Sequence, residues 1–399
     1  MMMKRILFYS ENFCGDKSPG GLEVATYRIA MALKDSNRWE VFNAYRNRYD
    51  IEDSYPYSDT IKLHRSGPAF ENDLNEFIKK NRIDVVVNMT RFFRHKYIRN
   101  AVKASKRDVK LLFMLHFAPG SEKKKPTFTS GLHLLRLNPY NPLYWIRASI
   151  YPLLKYRRNR SWDKVYRSTY QDSDKIILLS DGYRDDYCRV GHFDDQSKFL
   201  AIPNIFETDS KVNEENGLQP KKKRILILSR LDEIQKRVSL ALEVWSKVQD
   251  DPDLQDWHLD IVGWGHNADI VKRLIKKLGL KRVTLHGWQP REQYLKDSSI
   301  LLSTAEYEGL PLSILEAQAY GVVPVAFDSY ASLRDVVTDE EDGIVISDFG
   351  DTKSMAERLA ALMKDDERLH RLSEKGREAS RRFSFERIGA MWLEMLENL

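Results

Sequence analysis

Short runs of apolar and β-branched residues alternate along the chain with longer stretches in which apolar residues recur every three or four positions. The first pattern predicts buried strands and the second predicts amphipathic helices. Strands are expected at residues 5–10, 40–44, 85–88, 110–116, 175–180 and 199–202 in the first half, and at 224–229, 258–262, 283–286, 300–303, 323–326 and 343–346 in the second. Strands that alternate with helices in this way are typical of parallel sheets covered by helices.

A polar stretch at residues 207–223 separates the two halves. It contains Asn216, Gly217 and three consecutive lysines, which are typical of a linker or an exposed loop. We therefore expect two domains, at residues 1–206 and 207–383. The last stretch, residues 384–399, carries apolar residues on one helix face, and we expect this helix to return to the first domain. These apolar residues are Phe385, Ile388, Met391, Trp392 and Met395.

Composition agrees with a globular protein, since 42% of the 399 residues are apolar and 31% are charged. The net charge of +6 is too small to indicate a nucleic-acid partner. The two cysteines are far apart, and no His, Cys or Asp cluster has the spacing of a metal site, so we expect no metal and a reducing compartment. No apolar run reaches 18 residues, and the first apolar stretch is too short for a signal peptide, which predicts a cytoplasmic protein.

The most informative segment is residues 303–326, STAEYEGLPLSILEAQAYGVVPVA. After a buried strand and a loop, we expect a helix to begin at Pro311, because proline is favoured at the first helical position. The free amides of Gly309, Leu310 and Leu312 would then lie at a helix N-terminus. Backbone N–H groups at such a place bind phosphate with the help of the helix dipole.

Charged side chains flank these amides. The carboxylate of Glu316, further along the helix, can accept hydrogen bonds from two hydroxyl groups, such as those of a ribose. Glu308 lies just before the amides, where it could reach hydroxyls of a second sugar. Arg230 and Lys236 follow the first strand of the second domain, at the edge of the sheet where α/β proteins bind ligands. There, arginine can grip a diphosphate with a fork of donors, and lysine acts as a point charge.

The segment EGLPLSILEA, with Glu308 and Glu316, resembles the E-x7-E element of retaining glycosyltransferases of the GT-B fold, family 4 in particular. Near the start, Gly20 and Gly21 resemble the glycine-rich loop of that family, and His116 ends a strand as the family's active-site histidine does. Other segments are similar to the family's motifs in the same order: 202–204 (IPN, with Ile205 in place of a glycine), 229–236 (SRL and a later lysine), 259–265 (LDIVGWG) and 286–288 (HGW). The resemblance is strongest over residues 200–330.

This resemblance implies an α/β protein of GT-B architecture, in which two Rossmann-like domains with parallel sheets face each other across a cleft. It implies that the second domain binds a nucleoside-diphosphate sugar, such as a UDP- or GDP-sugar, and that the first binds a saccharide or lipid-linked acceptor. The implied activity is transfer of a hexosyl-type group with retention of configuration, without cofactor or metal. Surface polysaccharide or glycolipid biosynthesis would be its setting.

The resemblance also implies roles for single residues. Arg230 and Lys236 would neutralise the leaving diphosphate, and Gly20 and Gly21 would approach a phosphate closely. His116 would hydrogen-bond to the donor sugar, or stabilise its oxocarbenium-like charge through the backbone carbonyl. The donor phosphate itself would accept the proton of the acceptor.

Each of these residues also has a plainer interpretation. The two glutamates can be solvated helix residues, the two cations surface charges, the glycine pair a simple turn, and His116 a core residue. For the whole protein, two alternatives stay open. One is a disaccharide synthase or phosphorylase on the same fold, and the other is a non-catalytic subunit that binds a nucleotide sugar.

Residues 123–167 are the most unusual part of the chain. They begin with three consecutive lysines, continue with many aromatic and apolar residues, and end in a basic run whose one acid is Asp163. Such a composition suits the anionic surface of a membrane. The alternative is that residues 143–154 pack on the domain and the basic run is solvated. Pro139, Pro142 and Pro152 are expected to interrupt any single long helix, which counts against membrane binding.

Overall fold

The computed structural model describes residues 3–18, 21–48, 55–90, 92–124, 135, 138–207 and 221–399. The chain divides into two compact units. The first comprises Met1–Gly120, Arg158–Glu207 and Phe383–Leu399, and the second comprises Ser121–Arg157 and Thr208–Arg382. This differs from the sequence-based division, which places all of residues 1–206 in one domain. The reason is that the residues of one long helix are shared between the two units.

The first unit is built on a seven-stranded sheet in which neighbouring strands are parallel. The strands β1 to β7 are Lys4–Tyr9, Trp39–Tyr45, Asp59–Lys62, Val85–Asn88, Lys110–Leu115, Lys175–Leu178 and Phe199–Ala201. Their order is β3-β2-β1-β4-β5-β6-β7, so the strand order reverses between β1 and β4. The hydrophobic pattern misses β3, because this short edge strand is polar except for Ile61.

The second unit contains a six-stranded parallel sheet. The strands β8 to β13 are Arg224–Leu228, His258–Val262, Val283–Gly287, Ile300–Ser303, Val323–Phe327 and Ile344–Ile346. Their order is β10-β9-β8-β11-β12-β13, which reverses between β8 and β11. In open α/β sheets, ligands bind at such a reversal, outside the carboxyl ends of the strands.

Helices connect the strands of both sheets. In chain order they are Gly21–Asp35 (α1), Pro68–Lys80 (α2), Phe92–Ala104 (α3), Ser121–Lys124 (α4), Pro142–Asp172 (α5), Tyr183–Gly191 (α6), Val238–Val248 (α7), Ala268–Lys277 (α8), Arg291–Asp297 (α9), Leu312–Ala319 (α10), Leu333–Val336 (α11), Thr352–Met363 (α12), Asp366–Ser380 (α13) and Phe385–Glu397 (α14). The prediction of an α/β protein with two Rossmann-like domains is therefore confirmed.

The long helix α5 continues through Pro152. The predicted interruption there is therefore wrong, while Pro142 occupies the first helical position, where a missing N–H is tolerated. Near the other end of α5, Tyr166 is fully buried and packs against the rings of Phe92 and Tyr187. The helix thus continues despite the cost of an internal proline, which is about 3 kcal/mol. Among the described residues, no helix has both the length and the apolar character needed to cross a bilayer.

The last helix, α14, belongs to the first unit. Ser384 caps it by accepting a hydrogen bond from the N–H of Arg387 at 3.4 Å. Trp392 is fully buried, and its ring packs edge-on against Phe8 of β1 with the ring centroids 6.1 Å apart. The apolar face at the end of the sequence is thus the face that packs on the sheet.

Replacing Trp392 with alanine should destabilise the first unit by about 3–5 kcal/mol, because it removes a buried indole and leaves a cavity. Urea unfolding followed by circular dichroism measures the loss. Glu394→Ala, on the exposed face of the same helix, is the matched control and should change stability by no more than about 0.5 kcal/mol. Equal stabilities of the two variants would contradict this packing.

Candidate functional site

The loops that follow β8 and β11 meet where the strand order of the second sheet reverses. A small crevice between them is lined by Ser229 and Lys236 from the first loop, Thr304 from the second, and Ser313 from α10. The Thr304 hydroxyl lies within hydrogen-bonding distance of the carbonyl oxygens of Lys236, at 3.1 Å, and Arg237, at 2.9 Å. Side chains that are 68 positions apart in the sequence therefore line one pocket.

Four side chains form a connected network that includes Lys236. Lys236 forms an ion pair with Glu308, and the two side chains are only 15% and 14% exposed. The Gln235 amide donates a hydrogen bond to the second oxygen of the Glu308 carboxylate at 3.1 Å and accepts one from the Arg230 guanidinium at 2.9 Å. The fold thus brings three predicted catalytic residues together. It does so through Gln235, which sequence reasoning missed although it directly precedes Lys236.

Local hydrogen bonds set the conformation of the turn that carries Arg230 and Lys236. The Asp232 carboxylate accepts hydrogen bonds from the N–H groups of Ile234, at 2.9 Å, and Gln235, at 3.3 Å. The carbonyl of Asp232 accepts one from the N–H of Lys236 at 2.7 Å. Aspartate favours such turns because its short side chain reaches the backbone two residues further on. The turn is therefore shaped by its own sequence before any ligand binds.

Two glycines allow the loop after β9 to lie directly against this turn. A Cβ atom on Gly263 would lie 1.8 Å from the carbonyl oxygen of Ser229, and one on Gly265 would lie 2.4 Å from that of Leu231. Gly263 also has a φ of +146°, which other residues rarely adopt. The Leu231 N–H donates to the carbonyl of Trp264 at 3.2 Å. The GWG segment therefore supports the turn from behind through its backbone.

Helix α10 begins at Leu312, and Pro311 is its N-cap residue, whereas the sequence predicts Pro311 as the first helical residue. The Leu312 N–H donates to the carbonyl of Leu310 at 2.9 Å, so the prediction that this amide is free is wrong. The reason is the backbone of Pro311, whose φ of −78° and ψ of 76° form an inverse γ-turn. The N–H groups of Gly309, Leu310 and Ser313 donate to no other described residue. These three amides are the ones placed to bind an anion.

Glu316 has a partner that sequence reasoning also missed. The guanidinium of Arg291, at the start of α9, lies 2.9 Å from one oxygen of the Glu316 carboxylate. The Glu316 side chain is 14% exposed and that of Arg291 is 63% exposed. An exposed arginine on one side therefore orients a mostly buried carboxylate. No spacing in the sequence links the two residues, because they follow different strands.

The remaining predicted residues belong to the first unit. Both ring nitrogens of His116, which directly follows β5, are buried, and no described residue forms a hydrogen bond with them. Burial lowers the pKa of the His116 imidazole to about 4, so the ring is neutral at pH 7 and can donate one hydrogen bond and accept another. Gly21 is the exposed first residue of α1, and Gly20 lies outside the described residues. In the part of the chain that the structure describes, no group of three or more His, Cys, Asp or Glu residues is placed to hold a metal ion.

Two exposed tryptophans lie at the carboxyl edge of the second sheet. Trp264 follows β9 and is 69% exposed, and Trp288 follows β10 and is 76% exposed. Their loops are joined by a hydrogen bond from the Gly263 N–H to the carbonyl of Gly287 at 2.8 Å. Exposed indoles beside a polar network provide flat surfaces on which another ring can stack.

Comparison with known families and proteins gives a consistent result. Residues 209–379 match the sequence model of the family described as "Glycosyl transferases group 1". The chain is 29% identical over 232 residues to the exopolysaccharide phosphotransferase SCO2592 of Streptomyces coelicolor. The aligned region covers 57% of this chain and 23% of that protein. It is 28% identical over 234 residues to the poly(ribitol-phosphate) alpha-N-acetylglucosaminyltransferase of Staphylococcus aureus. The aligned region covers 56% of this chain and 44% of that protein. The chain thus spans less than half the length of these two relatives.

Among solved structures, HepE from Anabaena in complex with UDP-glucose superposes with a TM-score of 0.68. The match covers 99% of this chain and 100% of that chain, at 17% sequence identity. At this identity the likeness concerns the fold, which is GT-B.

Gly263→Ala should distort the turn that carries Arg230, because the added Cβ has no room beside Ser229. We expect a loss of about 1–3 kcal/mol from overpacking, in addition to roughly 1 kcal/mol of backbone strain. Gly279→Ala is the control, since Gly279 also has a positive φ, +57°, but faces open space. Urea unfolding of both variants measures the difference, and equal losses would show that the close approach is unimportant.

Proposed function

Because residues 209–379 match the model of the glycosyl transferases group 1 family and the chain has the GT-B fold, we propose that the protein is a glycosyltransferase. It transfers a sugar from a nucleoside-diphosphate sugar to a hydroxyl group of an acceptor, with retention of configuration at the anomeric carbon. Its proposed setting is the biosynthesis of a surface polysaccharide or glycolipid. The names of the two relatives, which refer to an exopolysaccharide and to poly(ribitol-phosphate), agree with a polysaccharide or similar polymer as the acceptor.

The observation that carries the proposal is the network of Arg230, Gln235, Lys236 and Glu308 at the strand reversal. The positive charge of Lys236 and the negative charge of Glu308 cancel. The network therefore carries one net positive charge, that of Arg230. The Lys236 ammonium has three N–H donors, of which Glu308 takes one. Together with the amides of Gly309 and Leu310, these donors suit the oxygens of a diphosphate.

The transfer follows from that arrangement. As the bond between the anomeric carbon and the diphosphate oxygen breaks, negative charge grows on the diphosphate and positive charge on the sugar ring. Arg230 and Lys236 stabilise the first charge, and Glu308 accepts hydrogen bonds from sugar hydroxyls. The acceptor oxygen then bonds to the anomeric carbon on the same face, and its proton passes to the departing phosphate. Each donor whose contact strengthens as the bond breaks lowers the barrier by about 2.7–4 kcal/mol, by analogy with oxyanion holes.

The remaining predicted residues have supporting roles in this proposal. Glu316, oriented by Arg291, accepts hydrogen bonds from the ribose hydroxyls. Neutral His116 donates a hydrogen bond to the donor sugar, and Gly21 lies close to a phosphate, while the same role expected of Gly20 falls outside the described residues. The donor is a UDP- or GDP-sugar, and the UDP-glucose bound by the Anabaena protein supports the first of these. No metal is required, because Arg230 and Lys236 supply the positive charge.

We expect the Arg230 and Glu316 variants to fail in different ways. Arg230→Ala should lower turnover by roughly 100- to 1,000-fold with little change in donor affinity, because its contact strengthens in the transition state. Glu316→Ala should weaken donor binding by about tenfold or more through lost ribose hydrogen bonds. The rate of nucleoside-diphosphate release measures turnover, and isothermal titration with the donor measures donor affinity. Arg273→Ala, which removes an exposed cation on α8, is the control.

A screen of nucleoside-diphosphate sugars by thermal shift identifies the donor for these assays. A donor at 100 times its dissociation constant should add about 2.7 kcal/mol of stability. Donor binding without release of nucleoside diphosphate, even with polymeric and lipid-linked acceptors, would favour a non-catalytic subunit. Preference for free monosaccharides or phosphate would favour a disaccharide synthase or phosphorylase. Unchanged kinetics in both variants would contradict the assignment of the site.

Exposed apolar side chains support a second proposal, that the protein binds the anionic surface of a membrane. Leu143, Trp145 and Ile146 lie in the first turns of α5 and are 59%, 59% and 53% exposed, and Tyr140 just before the helix is 90% exposed. Residues 138–167 contain seven Lys or Arg residues and one Asp, so this stretch alone carries a net charge of +6. Interfacial aromatic residues beside cationic charge favour anionic lipid. Binding of this kind would bring the enzyme close to a lipid-linked acceptor.

The double variant Trp145→Ser/Ile146→Ser should bind anionic vesicles at least about tenfold more weakly, because it removes two insertable side chains. Co-sedimentation with phosphatidylglycerol vesicles at low salt measures the binding. Lys276→Glu/Lys277→Glu, which lowers the net charge on exposed α8 instead, is the control and should lose less. If the parent protein fails to sediment with these vesicles, the membrane proposal is wrong, whereas the transferase proposal is unaffected.

A further inference from the structure

Gln235 holds a position between two opposite charges of the proposed site. Its side chain accepts a hydrogen bond from the Arg230 guanidinium at 2.9 Å. Its amide nitrogen donates to the Glu308 carboxylate at 3.1 Å and to the backbone carbonyl of Tyr307 at 3.2 Å. The residue as a whole is only 8% exposed. The amide therefore faces a cation with its oxygen and an anion with its nitrogen.

The backbone of Gln235 is fixed as firmly as its side chain. Its N–H donates to the Asp232 carboxylate at 3.3 Å, and its carbonyl accepts a hydrogen bond from the N–H of Glu306 at 2.7 Å. The second of these bonds joins the turn after β8 to the loop after β11. Since both ends of the residue are tied, the amide has little freedom to turn away from Arg230 or Glu308.

An uncharged amide satisfies both partners at this position. It must accept from a guanidinium and donate to a carboxylate at the same time, and asparagine and glutamine can do both without adding charge. A carboxylate in its place could accept but not donate, and an apolar side chain could do neither. Without the amide, an exposed arginine and a nearby carboxylate would be drawn into direct contact, since paired ions of this type prefer bidentate geometry.

We propose that Gln235 is a positioning residue that keeps Arg230 and Glu308 apart, so that the charge of Arg230 stays directed at the donor diphosphate instead of being neutralised by Glu308. This inference rests on the proposed function for its catalytic consequence. Its structural part, separation of the two charges, does not depend on activity. The two parts therefore need separate readouts.

The first test uses Gln235→Met, which has similar volume and no hydrogen-bonding amide. A crystal structure of this variant should show the Arg230 guanidinium within salt-bridge distance of the Glu308 carboxylate. If Arg230 stays where it is in the parent protein, the proposal is overturned. This readout holds even if no donor is turned over, so its failure is distinguishable from failure of the proposed transferase activity.

The second test uses Gln235→Glu and the dependence of turnover on pH. At about pH 8.5 the new carboxylate should pair with Arg230 and repel Glu308, lowering kcat by roughly 10- to 100-fold with little change in donor KM. Burial and the neighbouring carboxylates of Glu308 and Asp232 raise the pKa of the new carboxyl group, while the cations of Arg230 and Lys236 lower it. Once protonated, the group can again donate to Glu308. The ratio of parent to variant kcat should therefore shrink as the pH falls to about 5.5.

The controls separate this behaviour from a simple loss of stability. Gln235→Met cannot be rescued by protons, so its activity relative to the parent should stay constant with pH. Gln196→Glu is the matched control, because Gln196 also donates to a carboxylate, that of Asp185 at 2.8 Å, but lies on the exposed surface of the first unit. It should change neither kcat nor its pH profile. A parent-to-variant ratio for Gln235→Glu that does not vary with pH would contradict the proposal.

Discussion

The ion pair between Lys236 and Glu308 joins two loops that leave different strands of the second sheet, and the geometry of the proposed site depends on those loops staying together. Both side chains are mostly shielded from water, so their attraction is stronger than on an open surface. Partly buried pairs contribute little net stability, because desolvation offsets much of the Coulomb energy. What such a pair provides is a fixed orientation of its two side chains. With Thr304 and Gln235 bonded across the same gap, the pair defines where a diphosphate and a sugar would meet the protein.

The backbone beneath this pair explains why the cluster forms at this place. The strand order reverses between β8 and β11, so the connections that follow these two strands run in opposite directions along the sheet. A crevice stays open between them. Gly263 and Gly265 then let the neighbouring loop touch the turn of Arg230, where any side chain would collide with backbone oxygen. On the other side, the inverse γ-turn at Pro311 uses the N–H of Leu312, while those of Gly309, Leu310 and Ser313 donate to no other described residue. Three separate loops, which follow β8, β9 and β11, thus contribute the charged groups and the shape of this site.

The first unit has the same architecture and a different chemistry. Its sheet reverses between β1 and β4 in the same way, and there Glu11, just after β1, forms ion pairs with Arg46 and Arg94, whereas the predicted histidine, His116, is neutral and follows β5. Similar folds acquire different roles through the loops at their strand ends. The division of labour proposed here, with donor chemistry in the second unit and acceptor binding in the first, follows that rule.

Much of this protein could be predicted from the sequence alone. Strand and helix periodicity depends on neighbours within a few residues, so all six strands of the second sheet and the buried face of the last helix were predictable. The motif around Glu308 and Glu316 was recognisable for the same reason, since its residues are close together. The edge strand β3, with one apolar residue, was not, because it is held by its pairing with β2, and neither was a helix that continues through Pro152 against local preference.

Only the tertiary structure decided which side chains meet. Gln235 contacts Glu308 across 73 positions of sequence, and Arg291 reaches Glu316 from the loop after a different strand. Neither pairing leaves a periodic signal, because it arises from the order of strands in the sheet and not from the spacing of residues along the chain. The sequence by itself determined the elements and named most of the charged residues, while the packing of the elements selected their partners.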